Sequence, residues 1–194
     1  MIRKISVIVL LMISINSLAQ DRAVGLRAGD PFGLTYKNYF TSHRAIELGL
    51  GTSSRNWHYS YYRNSFRYYN KYDNYRYVSH YVESIIYLQA RYLLHYDIIV
   101  QGMEGTWQWY WGAGGEMKLA QVEYRFQDDL FPVNGIDTDV STVFDLGPEG
   151  IIGMEYTFED FPLTFFGEAS LMIEIADRPA AMMLFGGAGV RLRF

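Results

Sequence analysis

Residues 107–119 read WQWYWGAGGEMKL, and their side chains alternate between two kinds. One set of alternate positions is apolar: Trp107, Trp109, Trp111, Ala113 and Met117. The other set is polar or glycine: Gln108, Gly112, Gly114, Glu116 and Lys118. A period of two residues is typical of a β-strand, because successive side chains of a strand point to opposite faces. This stretch therefore predicts a strand with one apolar face and one polar face.

The same period recurs along the chain and predicts an all-β fold of eight strands. The predicted strands span residues 23–29, 34–40, 45–51, 83–96, 107–119, 150–158, 163–176 and 182–194. The composition agrees, with 17% aromatic residues, 17 Tyr and 18 Gly but only 5 Pro. Such a mixture suits extended strands and tight turns better than helices.

The two faces of these strands differ in charge. The apolar face carries no charged residue, whereas the opposite face carries cations and anions in nearly equal number. We expect those charges to form an ion-pair network around a narrow lumen, since an unpaired buried charge would cost several kcal/mol. The predicted network consists of Arg27, Lys37, Glu47, Arg91, Glu116, Lys118, Glu155, Glu168, Glu174 and Arg191. Large apolar residues, with aromatics near the strand ends, would then face lipid.

The connections between the strands alternate in length. Those at one end, 41–44, 97–105 and 159–162, are short. At the other end, two short connections at 30–33 and 177–180 accompany long ones at about 52–82 and 120–148. Long loops on one side only are typical of outer-membrane barrels. The pattern predicts an eight-stranded antiparallel up-and-down transmembrane β-barrel.

The first residues indicate export. Arg3 and Lys4 precede an apolar run from residue 5 to about residue 15, followed by Ser17-Leu18-Ala19. This is the pattern of a signal peptide, so we predict a signal peptide over 1–19 and the barrel domain over 20–194. Loss of Arg3 and Lys4 without loss of an acid moves the formal charge from −4 to −6, which disfavours nucleic acid as a partner. The absence of cysteine excludes disulfides and thiolate metal sites.

The last residues carry a family resemblance. Val190, Leu192 and Phe194 alternate with Arg191 and Arg193. This ending resembles the C-terminal strand signal that delivers outer-membrane proteins to the barrel-assembly machinery. Residues 20–194 as a whole resemble the small OmpA/OmpX-like barrels, and "LAQ" followed by "AVGLRAGDPFGLTYKNYF" is similar to the uncharacterised porin-like barrel proteins of Bacteroidetes. The resemblance implies an outer-membrane location, outer-membrane lipid and lipopolysaccharide as surroundings, the assembly machinery as a partner during biogenesis, and no cofactor.

Residues 56–81 interleave tyrosine with arginine and lysine. Flat tyrosine rings and planar guanidinium groups suit stacking on sugars or gripping lipopolysaccharide phosphates, which makes a glycan or another surface partner possible. The candidate ligand residues are Tyr61, Arg63, Arg67, Tyr68, Tyr72, Tyr75 and Arg76. In a structural alternative, residues 57–63 and 75–81 extend strands three and four above the membrane. A further alternative adds two strands and gives ten.

Residues 121–150 collect five aspartates: Asp128, Asp129, Asp137, Asp139 and Asp145. They lack the ligand ladder of a calcium loop, so we expect a solvated acidic loop and no metal site.

The expected function is a structural or surface-binding role without an open pore, because eight strands leave room only for side chains. We expect no enzymatic activity. One alternative is a lipid-modifying enzyme that uses His58 and Ser60, whose spacing on an extended strand would suit a base and a nucleophile. The other alternative is a soluble periplasmic lipocalin-like barrel that binds an apolar ligand.

Overall fold

The computed structural model describes residues 21–53, 58–129 and 135–194. Within these ranges the chain forms eight strands, one α-helix and one 3-10 turn. The predicted signal peptide, residues 1–19, lies outside the described residues. The strands are β1 (Arg22–Asp30), β2 (Phe32–Thr41), β3 (Arg44–Thr52), β4 (Tyr75–Ile98), β5 (Thr106–Asp128), β6 (Asp137–Thr157), β7 (Leu163–Ile173) and β8 (Met182–Arg193). Helix α1 (Tyr59–Tyr68) and the 3-10 turn (Asn70–Tyr72) lie between β3 and β4.

The strands close into one barrel in chain order, which confirms the predicted fold class. Each strand pairs antiparallel with the next, and β1 also pairs with β8. Val24, for example, lies opposite Tyr36 of β2 and opposite Leu192 of β8. Closure leaves no unpaired edge, and this is the condition for a sheet to exist in lipid.

The apolar face points outward and the charged face points inward, as predicted. Leu26 and Ile152 are 55% and 57% exposed on the outer surface. Lys37 and Arg191 are completely buried inside the barrel. A soluble barrel with an apolar cavity would need the reverse arrangement.

Three strands are much longer than predicted. β4, β5 and β6 contain 24, 23 and 21 residues, so most of the connection predicted over 120–148 is strand. In β5 the reason is that the apolar residues switch from the outer face to the inner face. Leu119 still faces outward, but Ala120, Val122 and Tyr124 face inward. Because the apolar residues change face at this point, the one-sided alternation in the sequence ends although the strand continues.

The Tyr/Arg-rich segment forms a helix and not the predicted strand extension. Tyr61, Tyr62, Ser65 and Phe66 are its buried residues, spaced as one face of an α-helix. The extension of strand four over 75–81 is confirmed, whereas within the described residues this segment adds no further strands. No helix of the described ranges is long and apolar enough to cross a membrane.

The acidic segment is also not the predicted solvated loop. Asp137, Asp139 and Asp145 belong to β6, and Asp128 ends β5. Asp145 is completely buried because it occupies an inward position of β6, and its carboxylate pairs with Lys118 of the neighbouring strand. Residues 130–134 of the predicted loop lie outside the described residues.

Candidate functional site

The outer surface of β4–β6 changes from apolar to polar at one level. Ile86, Leu119 and Phe144 lie side by side in the sheet and form the last outward row that is apolar on all three strands; above it, single apolar residues such as Val140 remain on the outer face. The next outward row is Ser84, Gln121 and Thr142. We call the end of the barrel with the β5 residue Trp107 the lower end. The outward apolar residues of β5 extend from Leu119 down to Trp107, a distance along the barrel axis of roughly 25–30 Å at ordinary strand rise and tilt.

Above the boundary the three strands form a tall wall. β5 continues from Leu119 to Asp128, which raises the wall by roughly 20 Å. We call this wall, together with α1 and the 3-10 turn, the cap. The lower end of the outer surface carries aromatic pairs: Tyr96 stacks on Trp109 with ring centroids 4.8 Å apart, and Trp107 lies 5.0 Å from Tyr156. Such aromatic girdles mark membrane interfaces.

Ion pairs fill the lower lumen, and Arg191 is central to them. Its Nη2 lies 2.8 Å from Glu47 Oε2 and 3.7 Å from Glu168 Oε2, and its Nη1 lies 3.5 Å from Glu155 Oε2. Lys37 Nζ lies 2.6 Å from the same oxygen of Glu155. Each of these groups is at most 3% exposed, so water contributes almost nothing to their charge compensation.

Arg91 links the upper part of this network. Its Nη2 lies 2.6 Å from Glu149 Oε1, and its Nη1 lies 2.9 Å from Glu168 Oε1 and 3.4 Å from Glu47 Oε1. Arg27 Nη1 also lies 2.9 Å from Glu168 Oε1. The structure thus brings together Arg27, Lys37, Glu47, Arg91, Glu155, Glu168 and Arg191 in one network.

The other three predicted network residues have different partners. Lys118 pairs with Asp145, Nζ to Oδ2 at 2.5 Å. Glu116 accepts a 2.5 Å hydrogen bond from Gln89, and Glu174 accepts from backbone amides of its own loop, including that of Ala176. Glu149 and Asp145 were not predicted as lumen residues, because both precede residue 150 and belong to a segment predicted to be a loop.

The cap has an aromatic core of its own. Phe66 of α1 is 2% exposed and stacks on Tyr72, with ring centroids 4.3 Å apart. It also meets the wall at Tyr124 and Phe126, with centroids at 5.4 and 5.9 Å. Below the boundary, ion pairs surround buried rings such as Tyr110 and Phe166, whereas above it the interior is mainly aromatic.

Polar contacts of Tyr61 connect helix α1 to the barrel. Its hydroxyl donates to Asp145, and the Lys118 ammonium lies 4.4 Å from the centre of its ring. Arg178, from the β7–β8 loop, donates from Nη1 to the Tyr61 carbonyl oxygen at 3.0 Å. Tyr61 is therefore fixed both by strands β5 and β6 and by the β7–β8 loop.

Two further aspartates hold the end of the helical segment. The Tyr69 hydroxyl donates to Asp177 Oδ2 at 2.7 Å, and burial followed by this bond raises the pKa of Tyr69, so the hydroxyl keeps its proton. Lys71 and the Tyr72 hydroxyl donate to Asp139 Oδ2 at 2.9 and 2.7 Å. Hydrogen bonds from Lys71 and then Tyr72 hold the pKa of Asp139 below its usual value.

His58 and Ser60 do not share the face of an extended strand, so this prediction is wrong. His58 precedes the first turn of α1, and Ser60 lies in that turn. His58 Nε2 lies 2.8 Å from Asp30 Oδ2, and the imidazole packs edge-on against Phe185. The contact with Asp30 gives His58 a structural task at the rim of the barrel.

The predicted ligand residues divide into buried and exposed ones. Tyr61 and Tyr72 are 8% and 4% exposed and bind other parts of the chain, so we correct their assignment to a ligand surface. Tyr75 is partly buried against Phe126. The remaining four face solvent: Arg63, Arg67, Tyr68 and Arg76.

A polar cleft lies where the helical segment meets the β7–β8 loop. Its volume is about 680 Å³, and it is lined by Tyr68, Tyr69, Asn70, Lys71, Ala176, Asp177 and Pro179. Tyr68, 56% exposed, offers an aromatic face at its edge, beside an amide, an ammonium and a carboxylate. An apolar ring with nearby donors and acceptors is what binding a saccharide requires. Within the described ranges, no group of three or more His, Asp or Glu residues is placed to hold a metal ion.

Comparisons with known proteins give a structural likeness only. No protein-family model matches the sequence, and no curated protein matches it significantly. The N-terminal β-barrel domain of Pseudomonas aeruginosa OprF matches with a TM-score of 0.51 and 11% identity, covering 89% of this chain and 94% of that chain. The Yersinia pestis attachment invasion locus protein Ail matches with a TM-score of 0.46 and 10% identity, covering 89% of this chain and 96% of its own. The likeness to OprF supports the barrel fold.

Proposed function

We propose that the protein is an outer-membrane barrel that displays its cap at the cell surface. One observation carries this proposal: a continuous outward apolar surface surrounds a charged interior and ends at the Ile86–Leu119–Phe144 boundary. In water such a surface would drive aggregation, whereas in a bilayer it is matched to acyl chains. The proposal includes delivery by the barrel-assembly machinery and kinship with the porin-like barrels of Bacteroidetes.

Fractionation tests the location. We expect the chain to remain in envelope vesicles washed with carbonate, and to run faster on a gel before heating than after it. Release by carbonate would contradict the proposal.

The filled lumen supports a role without conduction. Arg191, Tyr110 and Lys37 are completely buried across the barrel interior, and their charged groups are paired. We expect no stable open-channel steps from the purified protein in a planar bilayer. A steady ohmic conductance would contradict this part of the proposal.

We further propose that the cap recognises a saccharide through its polar cleft, such as the core sugars of lipopolysaccharide. The exposed Tyr68 ring and the Asn70, Lys71 and Asp177 side chains support this choice. No catalytic activity is part of the proposal. Unchanged lipid A masses after deletion of the gene would agree with that, and a loss or gain of an acyl chain would contradict it.

A binding measurement with delipidated core oligosaccharide tests the recognition. We expect Tyr68→Ala to weaken binding about tenfold, equivalent to roughly 1.4 kcal/mol. Tyr59→Ala is the matched control, since Tyr59 is also an exposed tyrosine of α1 but lies outside the cleft. Equal affinity of the wild type and Tyr68→Ala, or no binding by either, would reject this ligand class for the cleft.

A further inference from the structure

A second concavity lies at the opposite end of the helix, beside its first turn and at the upper rim of β7 and β8. Its volume is about 830 Å³. The first turn of α1 forms its roof, with His58, Tyr59, Ser60 and Tyr61. Its floor and walls come from β7 and β8: Ala169, Met182, Met183, Leu184, Phe185 and Gly186.

The floor is recessed in the lipid-facing surface because its residues are small. Ala169 lies opposite Gly186, while the pair above, Leu171 and Leu184, presents large side chains. Leu184 and Met182 are 68% and 69% exposed, which places apolar surface beside the recess. The barrel wall does not require a glycine here, since a Cβ on Gly186 would approach nothing closer than the Glu168 carbonyl oxygen at 3.7 Å.

The roof differs chemically from the floor. Ser60 and Tyr59 carry hydroxyls, and the His58 imidazole is fixed by its 2.8 Å contact with Asp30. The groove therefore runs from an apolar recess, continuous with the lipid-facing surface, to a polar roof at the upper end of that surface. An amphiphile of the outer leaflet has the same order of apolar and polar parts.

We propose that this groove binds one acyl chain of a membrane lipid, with the ester and headgroup region under the first turn of α1. The inference rests on the proposed membrane location and adds a specific lipid site to it. It is independent of the saccharide cleft, which shares none of the groove's residues.

Photolabelling tests the site. The protein is inserted into vesicles containing phosphatidylglycerol with a diazirine on one acyl chain, and label is located by mass spectrometry in the fragment 175–194. We expect residues 182–186 to carry at least threefold more label than residues 188–192, although both stretches face lipid. Equal labelling of the two stretches would overturn the proposal.

A variant that fills the groove tests the site most directly. Gly186→Leu should reduce the label at 182–186 to the level of 188–192, because the new side chain occupies the recess. Gly150→Leu is the control, since Gly150 also faces lipid, has open space around its Cβ position and lies outside the groove. Ala169→Leu fills the same floor from β7 and replaces Gly186→Leu if that variant does not fold. Unchanged labelling in the filled variants would overturn the site.

The same experiment separates this inference from the proposed location. Label on lipid-facing strands everywhere, without enrichment at 182–186, refutes the groove and leaves the membrane location intact. Absence of label from all outward positions of the barrel refutes the membrane location and the groove with it.

Discussion

The two halves of β5 have the same strand geometry but place apolar and polar residues on opposite faces. Below the boundary, Trp109 faces outward and Lys118 faces inward. Above it, Glu123 lies on the outer side, while Phe126 points into the cap. The pairing of β5 with β6 keeps one register through the change, whereas its pairing with β4 shifts register between Val82 and Ser84, just above the boundary. One continuous strand therefore carries apolar residues on its outer face in one half and on its inner face in the other, so the sheet geometry by itself does not decide which face is apolar.

The largest effect on the free energy of unfolding is expected in the ion-pair network of the lower lumen. Arg191→Met should destabilise the barrel by about 3–5 kcal/mol, because it removes the buried cation shared by the Glu47, Glu155 and Glu168 carboxylates and leaves an excess of buried negative charge among them. Urea unfolding of the protein in lipid vesicles measures this. Arg191→Lys keeps the charge and should cost less. An equal cost for the two variants would show that packing, not charge, matters at this position.

The cap should unfold separately from the barrel when a residue of its aromatic core is removed. Phe66→Ala should destabilise the cap by about 3–5 kcal/mol, because a large buried ring is lost, while the barrel below stays folded. Trypsin should then cleave after Arg63 and Arg67, with the heat-dependent gel mobility of the barrel retained. Tyr68→Ala, an exposed neighbour, should stay resistant. Joint loss of cap and barrel would contradict the division into two halves.

One pair of substitutions on the outer face of β6 locates the boundary directly. Ile152 and Val140 face outward and are 57% and 51% exposed, but they lie on opposite sides of the boundary. With the proposed membrane location, Ile152→Lys should cost about 2–4 kcal/mol, because the ammonium would lie within the hydrocarbon. Val140→Lys should change the free energy of unfolding by less than about 0.5 kcal/mol. Equal costs in urea unfolding would show that the boundary is misplaced.

The smallest effect is expected at the exposed pair of Lys71 and Asp139. Because the pKa of Asp139 is lowered in the folded protein, its stabilising contribution is present at neutral pH and is lost as the pH falls below about 4. The pair is about half exposed, so this contribution should be only about 0.5 kcal/mol.

Amide exchange of residues 70–72 measures it. Asp139→Asn should exchange faster than wild type at pH 7, and this difference should shrink as the pH is lowered through the depressed pKa of Asp139, whereas Asp137→Asn should match the wild type throughout. A difference between Asp139→Asn and wild type that does not shrink at all as the pH is lowered would exclude titration of Asp139 as the cause.

The candidate site was only partly predictable from the sequence. The exposed positions Arg63, Arg67, Tyr68 and Arg76 stand out through composition alone. The burial of Tyr61 and Tyr72 could not be foreseen in the same way, because tyrosine is compatible with both a ligand surface and a core. The helical spacing of Tyr61, Tyr62, Ser65 and Phe66 was the available signal, and it was obscured by the exposed tyrosines between β3 and β4.

The sequence by itself determined the all-β class, the eight strands and the orientation of their faces below the boundary. Alternation predicted the strands because a strand has a period of two, whereas the balance of charges on one face and the long loops at one end indicated which face lies inside. Only the tertiary structure decided the height of β4–β6, the helical cap and the pairing of Glu149 and Asp145 with lumen cations. These features depend on contacts between residues distant in the chain, and local periodicity carries no information about which distant side chain satisfies a buried charge or covers an aromatic ring.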